Sequence, residues 1–161
     1  MDINAPEFRK YFLDLSAVVT GFSEFHLEGT GLVSLYFDNI RDIIGGDLFG
    51  ELLETFHRLE SKSQANNDES ILTNGLRSEL LGSEKLGPIA RNVIKLWYLA
   101  TWYQLPQSWR DVFGTKENDR TFIITSHAYP EGLLWPAIGV NPPGAKPPGY
   151  ATWSEPPLVS L

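Results

Sequence analysis

The stretch GPIARNVIKLWYLATWYQL, residues 87–105, forms the most hydrophobic helical pattern in this chain. Pro88 suits the first turn of a helix, where its missing N–H has no partner to lose, and Pro106 follows the end of the pattern. A wide apolar stripe repeats at helical spacing and comprises Ile94, Trp97, Tyr98, Thr101, Trp102 and Leu105. Because Leu99 and Tyr103 fall outside this stripe, we predict a helix over 87–105 that is buried on most sides, at the centre of a helical bundle.

Three amphipathic patterns precede this stretch and predict the helices that surround it. The first begins at Pro6, ends at Gly21, and has an apolar face of Phe8, Phe12, Leu15 and Val19. The second ends at Gly45 and Gly46, and its apolar positions are Leu32, Val33, Tyr36, Ile40, Ile43 and Ile44. The third has Asp47 as its expected N-cap, and its apolar positions are Leu48, Leu52, Phe56 and Leu59.

The remaining segments are rich in turn-forming residues. The polar residues 61–70 predict a loop, and residues 71–81 predict short helical pieces divided at Asn74 and Gly75. After the polar connector 115–120, Pro130 and Pro136 limit residues 121–140 to short helical turns. Residues 142–157, PPGAKPPGYATWSEPP, contain six prolines and can form neither a helix nor a central strand.

These patterns together predict an all-α fold within one domain. Residues 1–120 are expected to form an irregular helical bundle. Residues 121–161 are expected to add short helical turns and an extended aromatic and Pro-rich C-terminal arm, which packs on a partner.

The composition argues against several classes of partner. The chain has 20 acidic and 13 basic residues, a formal charge of −7, and no basic cluster longer than Arg9-Lys10, so we expect no nucleic-acid partner. No apolar run approaches the roughly 18 residues of a membrane span, so we expect no direct membrane insertion. The absence of cysteine excludes disulfides, thiolate nucleophiles and iron–sulfur clusters.

Catalytic and cofactor motifs are sparse. Glu54 and His57 form an E-x-x-H pattern on a predicted helix, but a di-iron bundle requires two such helices and further carboxylates. Ser126 and His127 are neighbours without the G-x-S-x-G turn of a nucleophile, and no phosphate-binding loop is present. We therefore expect no catalytic residue, metal or cofactor in this chain, and keep a small metalloprotein that uses Glu54 and His57 as an alternative.

Large aromatic residues in a Pro-rich segment need a surface to cover them, because such a segment forms few internal hydrogen bonds. Trp135, Tyr150 and Trp153 stand in or beside this segment. They could lie on the chain's own bundle, on another protein as binding hot spots, or against a carbohydrate. The last possibility makes a free-standing helical carbohydrate-binding protein a second alternative. Trp97, Tyr98, Trp102 and Tyr103 are instead expected in the core.

Four stretches stand in order along nearly the whole chain: residues 12–22, 93–103, 126–139 and 146–157. Together they resemble the small subunits of bacterial FAD-dependent sugar, sorbitol, polyol and gluconate dehydrogenase complexes. FLDLSAVVTGF, residues 12–22, is similar to their F-x-x-L-S-x-x-L-T-G opening, and VIKLWYLATWY, residues 93–103, to their I-x-x-A-W-Y-x-G segment. SHAYPEGLLWPAIG, residues 126–139, resembles their Y-x-x-A-L-M-[FYW] block. KPPGYATWSEPP, residues 146–157, resembles their closing P-G-[YFW]-W-x-x-x-P. The order and spacing agree over nearly the whole chain.

The resemblance implies a helical accessory (gamma) subunit that carries no cofactor. Its partner would be a large FAD-containing catalytic subunit of the glucose–methanol–choline type, which it helps to fold and stabilise, with a c-type cytochrome as a frequent third subunit. The residues that would bind the partner are Trp135, Pro148, Tyr150, Trp153, Pro156 and Pro157.

The chain departs from the family at identifiable positions. Members commonly have a Cys in the closing motif and a Gly after W-Y-x, where this chain has no Cys and has Ala100. Members also usually begin with a twin-arginine export signal, and none occurs in the sequence as given. The expectation is a cytoplasmic protein as the sequence stands, or a periplasmic one if such a signal has been removed.

Overall fold

The structure, a computed structural model, describes residues 2–145, and helices dominate this part of the chain. The α-helices are α1 (Pro6–Thr20), α2 (Glu24–Gly29), α3 (Val33–Ile44), α4 (Gly46–Asn66), α5 (Glu69–Gly75), α6 (Gly87–Leu99), α7 (Gln107–Phe113) and α8 (Leu134–Ala137). A π-helix, Leu76–Leu81, follows α5, and a 3₁₀ helix, Ser126–Glu131, precedes α8. The strands are β1 (Thr101–Trp102) and β2 (Phe122–Ile123), which pair antiparallel with Thr101 opposite Ile123. The predicted all-α class is confirmed.

The core contains a cluster of fully buried aromatic rings contributed by α1, α3, α4 and α6. The ring of Phe12 packs edge-on against Phe37 and Phe49, at centroid distances of 5.9 and 5.7 Å. Trp97 lies parallel to Phe12 at 6.4 Å and meets the edge of Tyr36 at 4.9 Å. Aromatic pairs of this geometry add to the hydrophobic stabilisation that their burial provides. This cluster fixes α6 against the N-terminal helices.

Helix α1 follows its local sequence signals closely. Pro6 occupies its first turn, and the helix ends at Gly21, which is in the left-handed conformation at φ 77°. Phe8, Phe12 and Leu15 of the predicted face are buried. In α3, the predicted apolar positions Tyr36, Ile40, Ile43 and Ile44 are likewise buried. Helix α2 was not among the predicted helices.

The loop predicted for residues 61–70 is wrong. Helix α4 continues to Asn66, and α5 begins at Glu69, so two residues separate them. The polar side chains of this segment mark an exposed helix surface, since polarity alone does not prevent helix formation. Ser63 is the buried exception, and its hydroxyl donates a 2.8 Å hydrogen bond to the carbonyl of Asp68. Asp47 is also not the N-cap of α4, because the helix begins one residue earlier and Gly45 precedes it.

The predicted extent of α6 is also wrong at its C-terminal end. The helix ends at Leu99, Ala100 adopts a left-handed conformation at φ 55°, and Trp102 lies in β1. Arg91, Lys95 and Leu99 are exposed, so the helix has one solvent-facing stripe instead of being buried on most sides. Its buried residues are Gly87, Ile89, Ala90, Asn92, Val93, Leu96 and Trp97.

None of the helices between residues 2 and 145 combines the length and apolar character that a bilayer crossing requires.

Candidate functional site

The described C-terminal segment, residues 121–145, is fixed to the C-terminal end of α6. The backbone N–H of Ile124 donates to the carbonyl of Ala100 at 3.1 Å, and the N–H of Leu133 donates to the carbonyl of Trp97 at 3.0 Å. Leu133 is fully buried and extends the core to this segment. These two hydrogen bonds, to the residues on either side of the Tyr98–Leu99 pair, position the described segment against α6.

Trp135 is the predicted partner-binding residue that the structure describes. It is half-buried in α8, and its indole Nε1 donates a 2.8 Å hydrogen bond to the carbonyl of Tyr129. The Tyr129 ring meets it edge-on at 5.3 Å. These two contacts hold the indole in a defined orientation while part of it stays accessible. The other predicted binding residues lie outside the described residues: Pro148, Tyr150, Trp153, Pro156 and Pro157.

Trp135 borders a shallow groove of about 250 Å³. Three prolines, Val140 and the indole supply its apolar groups, and His26, Glu131 and Asn141 supply polar side chains. The complete lining is His26, Pro130, Glu131, Gly132, Trp135, Pro136, Val140, Asn141 and Pro142. An aromatic ring beside a few polar side chains is the usual composition of a ligand or peptide groove.

A β-turn closes the described chain next to this groove. The N–H of Ala145 donates to the carbonyl of Pro142 at 3.2 Å, and Gly144 has a φ of 73° that suits glycine. The Tyr129 hydroxyl donates to the carbonyl of Pro143 at 3.3 Å. The Pro-rich sequence therefore begins from a backbone that is tied to the same tyrosine that supports Trp135.

Residues 121–145 are mostly accessible but almost uncharged. Glu131 is their one charged residue, with His127 counted as neutral, although a fifth of the whole chain is charged. Residues 136–141, PAIGVN, are all exposed. Depletion of charge together with aromatic residues distinguishes the centre of protein interfaces from the rest of a surface.

Of the four aromatic residues expected in the core, Trp97 and Trp102 lie in it and Tyr98 packs against it, whereas Tyr103 does not belong to it. Trp97 and Trp102 are fully buried, and the hydroxyl of the half-buried Tyr98 donates a 2.8 Å hydrogen bond to the carbonyl of Thr20. Lys95 lies over the ring of the half-buried Tyr103, with its Nζ 5.1 Å from the centroid.

Asp119 is a structural residue that the sequence patterns did not indicate. Its carboxylate is buried and accepts hydrogen bonds from Trp102 Nε1 and from the Leu105 N–H. Asp119 lies in the polar run 115–120, and no feature of the local sequence distinguishes it from its solvated neighbours.

Tyr36 places a polar group in the core without a hydrogen-bond partner. Its side chain is fully buried, and its hydroxyl has no partner among the described residues. Burial raises the pKa of Tyr36 above its usual range, and the charge of Glu131 adds to this rise. Trp97 Nε1 is likewise buried without a partner in the described chain.

The alternative metal pair occupies a different face, between α1 and α4. Glu54 is exposed, and the half-buried ring of His57 stacks on Tyr11 at 3.9 Å. Burial raises the pKa of the nearby Glu60, and the charge of Asp14 contributes to that rise. Both residues of the pair line a cleft of about 440 Å³. Within residues 2–145, no three His, Asp or Glu side chains are placed to hold a metal ion together.

Ser126 and His127 are not arranged as a nucleophile and the base that activates it. Both residues are exposed, and the backbone N–H of His127 donates to the hydroxyl of Thr125 at 3.4 Å.

Comparison of the chain with protein-family models, with curated proteins and with solved structures found no match.

Proposed function

We propose that this chain is a non-catalytic accessory subunit of an FAD-dependent oxidoreductase. It binds and stabilises a sugar or polyol dehydrogenase or oxidase subunit of the glucose–methanol–choline type, which contains the FAD. The observation that carries the proposal is the accessible, nearly uncharged surface of residues 121–145, which leads directly into a segment containing Tyr150 and Trp153. Such a surface favours contact with a protein over exposure to water.

Ala100 departs from the family motif in residue type, but its backbone conformation is compatible with the motif. Ala100 stands where the family motif has Gly, and its φ of 55° lies in the region that favours glycine. A Gly at this motif position would therefore suit the turn that ends α6. This compatibility concerns the one position, and the resemblance itself rests on the four sequence motifs.

The mechanism of stabilisation in this proposal is mass action. A subunit that binds the folded flavoprotein and not its unfolded chain shifts the folding equilibrium toward the folded form. Pro148, Tyr150, Trp153, Pro156 and Pro157 would anchor the arm on the partner, and Trp135 would support it. Prolines reduce the conformational entropy that a segment loses when it becomes ordered on binding.

The proposal is tested by co-expression with the flavoprotein of the same organism. The flavoprotein is co-expressed with the full chain, with a chain that lacks residues 146–161, or with no subunit. A control chain lacks only residues 158–161, which lie beyond the last proposed anchor. Soluble, FAD-loaded flavoprotein is expected with the full chain and the control but not with the arm deletion. Equal yield with the arm deletion would refute the role of the arm, and equal yield without any subunit would refute the function.

A single substitution tests the proposed anchor most directly. Trp153→Ala should weaken binding to the flavoprotein by about 2 kcal/mol or more, as expected for an interface hot spot, while Trp153→Phe should retain most of the affinity. Dissociation of the co-purified complexes on dilution measures both, because the flavoprotein alone is not expected to be soluble. An unchanged affinity for the alanine variant would count against Trp153 as an anchor.

The compartment determines the third partner in this proposal. A c-type cytochrome is a further subunit if the complex works in the periplasm, and another electron acceptor is required if it works in the cytoplasm.

A carbohydrate-binding role is the second candidate, and the groove beside Trp135 favours it. A fixed, partly accessible indole can stack on the C–H face of a sugar ring, and Asn141 and His26 can bond its hydroxyls. Saccharide binding by the isolated chain that is lost in Trp135→Ala would support this role in place of the first.

A further inference from the structure

Five exposed apolar side chains belong to the end of α6 and to residues 121–145, the part of the chain that leads into the arm. Exposed fractions are 42% for Leu99, 62% for Ile123, 40% for Tyr129, 58% for Ile138 and 48% for Val140. We name these five residues the end surface. Single exposed apolar residues are common on any protein, so their value as evidence depends on whether they are grouped.

Backbone hydrogen bonds show that the five residues belong to neighbouring segments. Leu99 is the last residue of α6, and Ile123 lies opposite Thr101 in the two-stranded sheet. The N–H of Val140 donates to the carbonyl of Trp135 at 3.0 Å, which folds residues 138–140 back on α8. The Leu133–Trp97 hydrogen bond then ties α8 to the end of α6.

The point at which the described chain ends limits where a protein that binds the following residues can lie. The described chain ends at Ala145, five residues after Val140. An extended chain advances at most about 3.6 Å per residue, so the Cα of Pro148 lies within about 11 Å of the Cα of Ala145. A protein that contacts Pro148 must therefore approach this end of the molecule.

We propose that the end surface is the second part of the interface, covered by the same protein that holds the arm. This inference rests on the proposed function and adds the surface on the helical domain that the partner contacts. The contacting surface of the partner is apolar, because Glu131 is the one charged residue in the 25-residue segment that supplies four of the five side chains.

The test places a charge on the end surface and leaves the arm intact. Ile138→Glu and Ile123→Glu are made separately in the full chain, and Val112→Glu serves as the matched control. Val112 is 71% exposed on α7 and lines a different groove with Pro88 and Trp109. Because all three positions are exposed, the substitutions should preserve the fold, which circular dichroism and thermal unfolding verify.

Each variant is co-expressed with the flavoprotein of the same organism, and the affinity is then measured from the dissociation of the co-purified complex on dilution. Ile138→Glu and Ile123→Glu are each expected to weaken binding at least about tenfold, because a charge is desolvated in an apolar contact, while Val112→Glu stays within about twofold of the wild type. Wild-type affinity in both end-surface variants, alongside loss of binding on deletion of residues 146–161, would overturn the inference and leave the proposed function standing. A wild-type chain that binds no flavoprotein would overturn both.

Discussion

The indole Nε1 of Trp102 donates a 2.9 Å hydrogen bond to the carboxylate of Asp119, and both side chains are buried. The same carboxylate accepts the backbone N–H of Leu105 at 3.1 Å. The backbone carbonyl of Asp119 accepts a further hydrogen bond from Gln104 Nε2 at 3.0 Å. Asp119 thereby holds the chain after α6 in a non-helical path and determines where the sheet and the C-terminal segment lie.

Replacing Asp119 by Ala should destabilise the fold substantially. The indole N–H of Trp102 and the amide of Leu105 would lose their acceptor, and a buried unsatisfied group costs about 1–3 kcal/mol, so we expect a loss of about 2–4 kcal/mol in the free energy of unfolding. Urea denaturation measures it. Asp119→Asn keeps one acceptor oxygen and should lose less. Equal stability of the alanine variant and the wild type would show that the buried carboxylate is not structural.

The end of α6 shows where sequence reasoning reaches its limit. The repeat of apolar residues continues helically to Leu105, and Ala100 is normally a good helix former. The helix nevertheless ends at Leu99, because the next turn is held by Asp119, which is 17 residues from Trp102 in sequence. A local pattern contains no information about a partner at that distance. By contrast, Pro6 and Gly21 act locally, and both ends of α1 were predicted.

The candidate site also combines features that the sequence predicts with contacts that it does not. Pro130 and Pro136 correctly indicated short helices, and the aromatic content of the segment drew attention to Trp135. The hydrogen bond that orients Trp135 and the groove beside it depend on Tyr129 and on residues of α2, such as His26. These contacts join segments that no spacing rule connects, so the structure was needed to find them.

Ala100→Gly should stabilise the protein. Ala100 has a φ of 55°, and a left-handed conformation costs an L-residue roughly 1–2 kcal/mol that glycine avoids. Since the variant also loses a buried methyl group, we expect a net gain of up to about 1 kcal/mol. Ala90→Gly, in the interior of the same helix, is the control and should lose about 1 kcal/mol or more. A loss of stability in both variants would show that the methyl group of Ala100 outweighs its backbone strain.

Tyr36 and Tyr98 form a matched pair for removal of a hydroxyl. The Tyr36 hydroxyl has no partner in the described chain, whereas that of Tyr98 donates to the carbonyl of Thr20. Tyr98→Phe should lower the free energy of unfolding by about 1 kcal/mol, and Tyr36→Phe should leave it unchanged or raise it. Thermal and urea unfolding of the two variants measure the difference. A greater loss in Tyr36→Phe than in Tyr98→Phe would contradict the assignment of an unpaired hydroxyl.

Burial of Tyr36 also predicts a loss of stability in alkali. Its pKa is raised in the folded state, so above pH 10 or so, the usual tyrosine pKa, the unfolded chain releases the proton that the folded chain retains. The unfolded state then binds fewer protons, and the free energy of unfolding falls by at most about 1.4 kcal/mol per pH unit from this group. Below that pH, Tyr36 keeps its proton in both states, so it does not make the free energy of unfolding depend on pH. Urea titrations at pH 8, 10 and 11 should therefore show a smaller decline for Tyr36→Phe than for the wild type, and parallel declines would refute the argument.

Glycine is required at position 132 because the backbone of Tyr98 lies very close to it, and not because of its own φ and ψ. Its φ of −56° and ψ of 131° are open to any residue, but a Cβ at this position would lie 2.9 Å from the carbonyl oxygen of Tyr98. Gly132→Ala should therefore push residues 132–140 away from α6 and lower the free energy of unfolding by about 1–3 kcal/mol. Gly29→Ala is the control, because a Cβ there has no neighbour within 4 Å.

The same displacement should affect binding, because Gly132 adjoins the Leu133–Trp97 hydrogen bond that positions Trp135 and the end surface. We expect Gly132→Ala to weaken capture of the flavoprotein under conditions in which the variant remains folded, while Gly29→Ala leaves it unchanged. Tryptophan fluorescence, measured together with affinity, should report the change at Trp135. A folded Gly132→Ala variant with wild-type affinity would mean that the partner does not depend on how residues 132–140 are placed against α6.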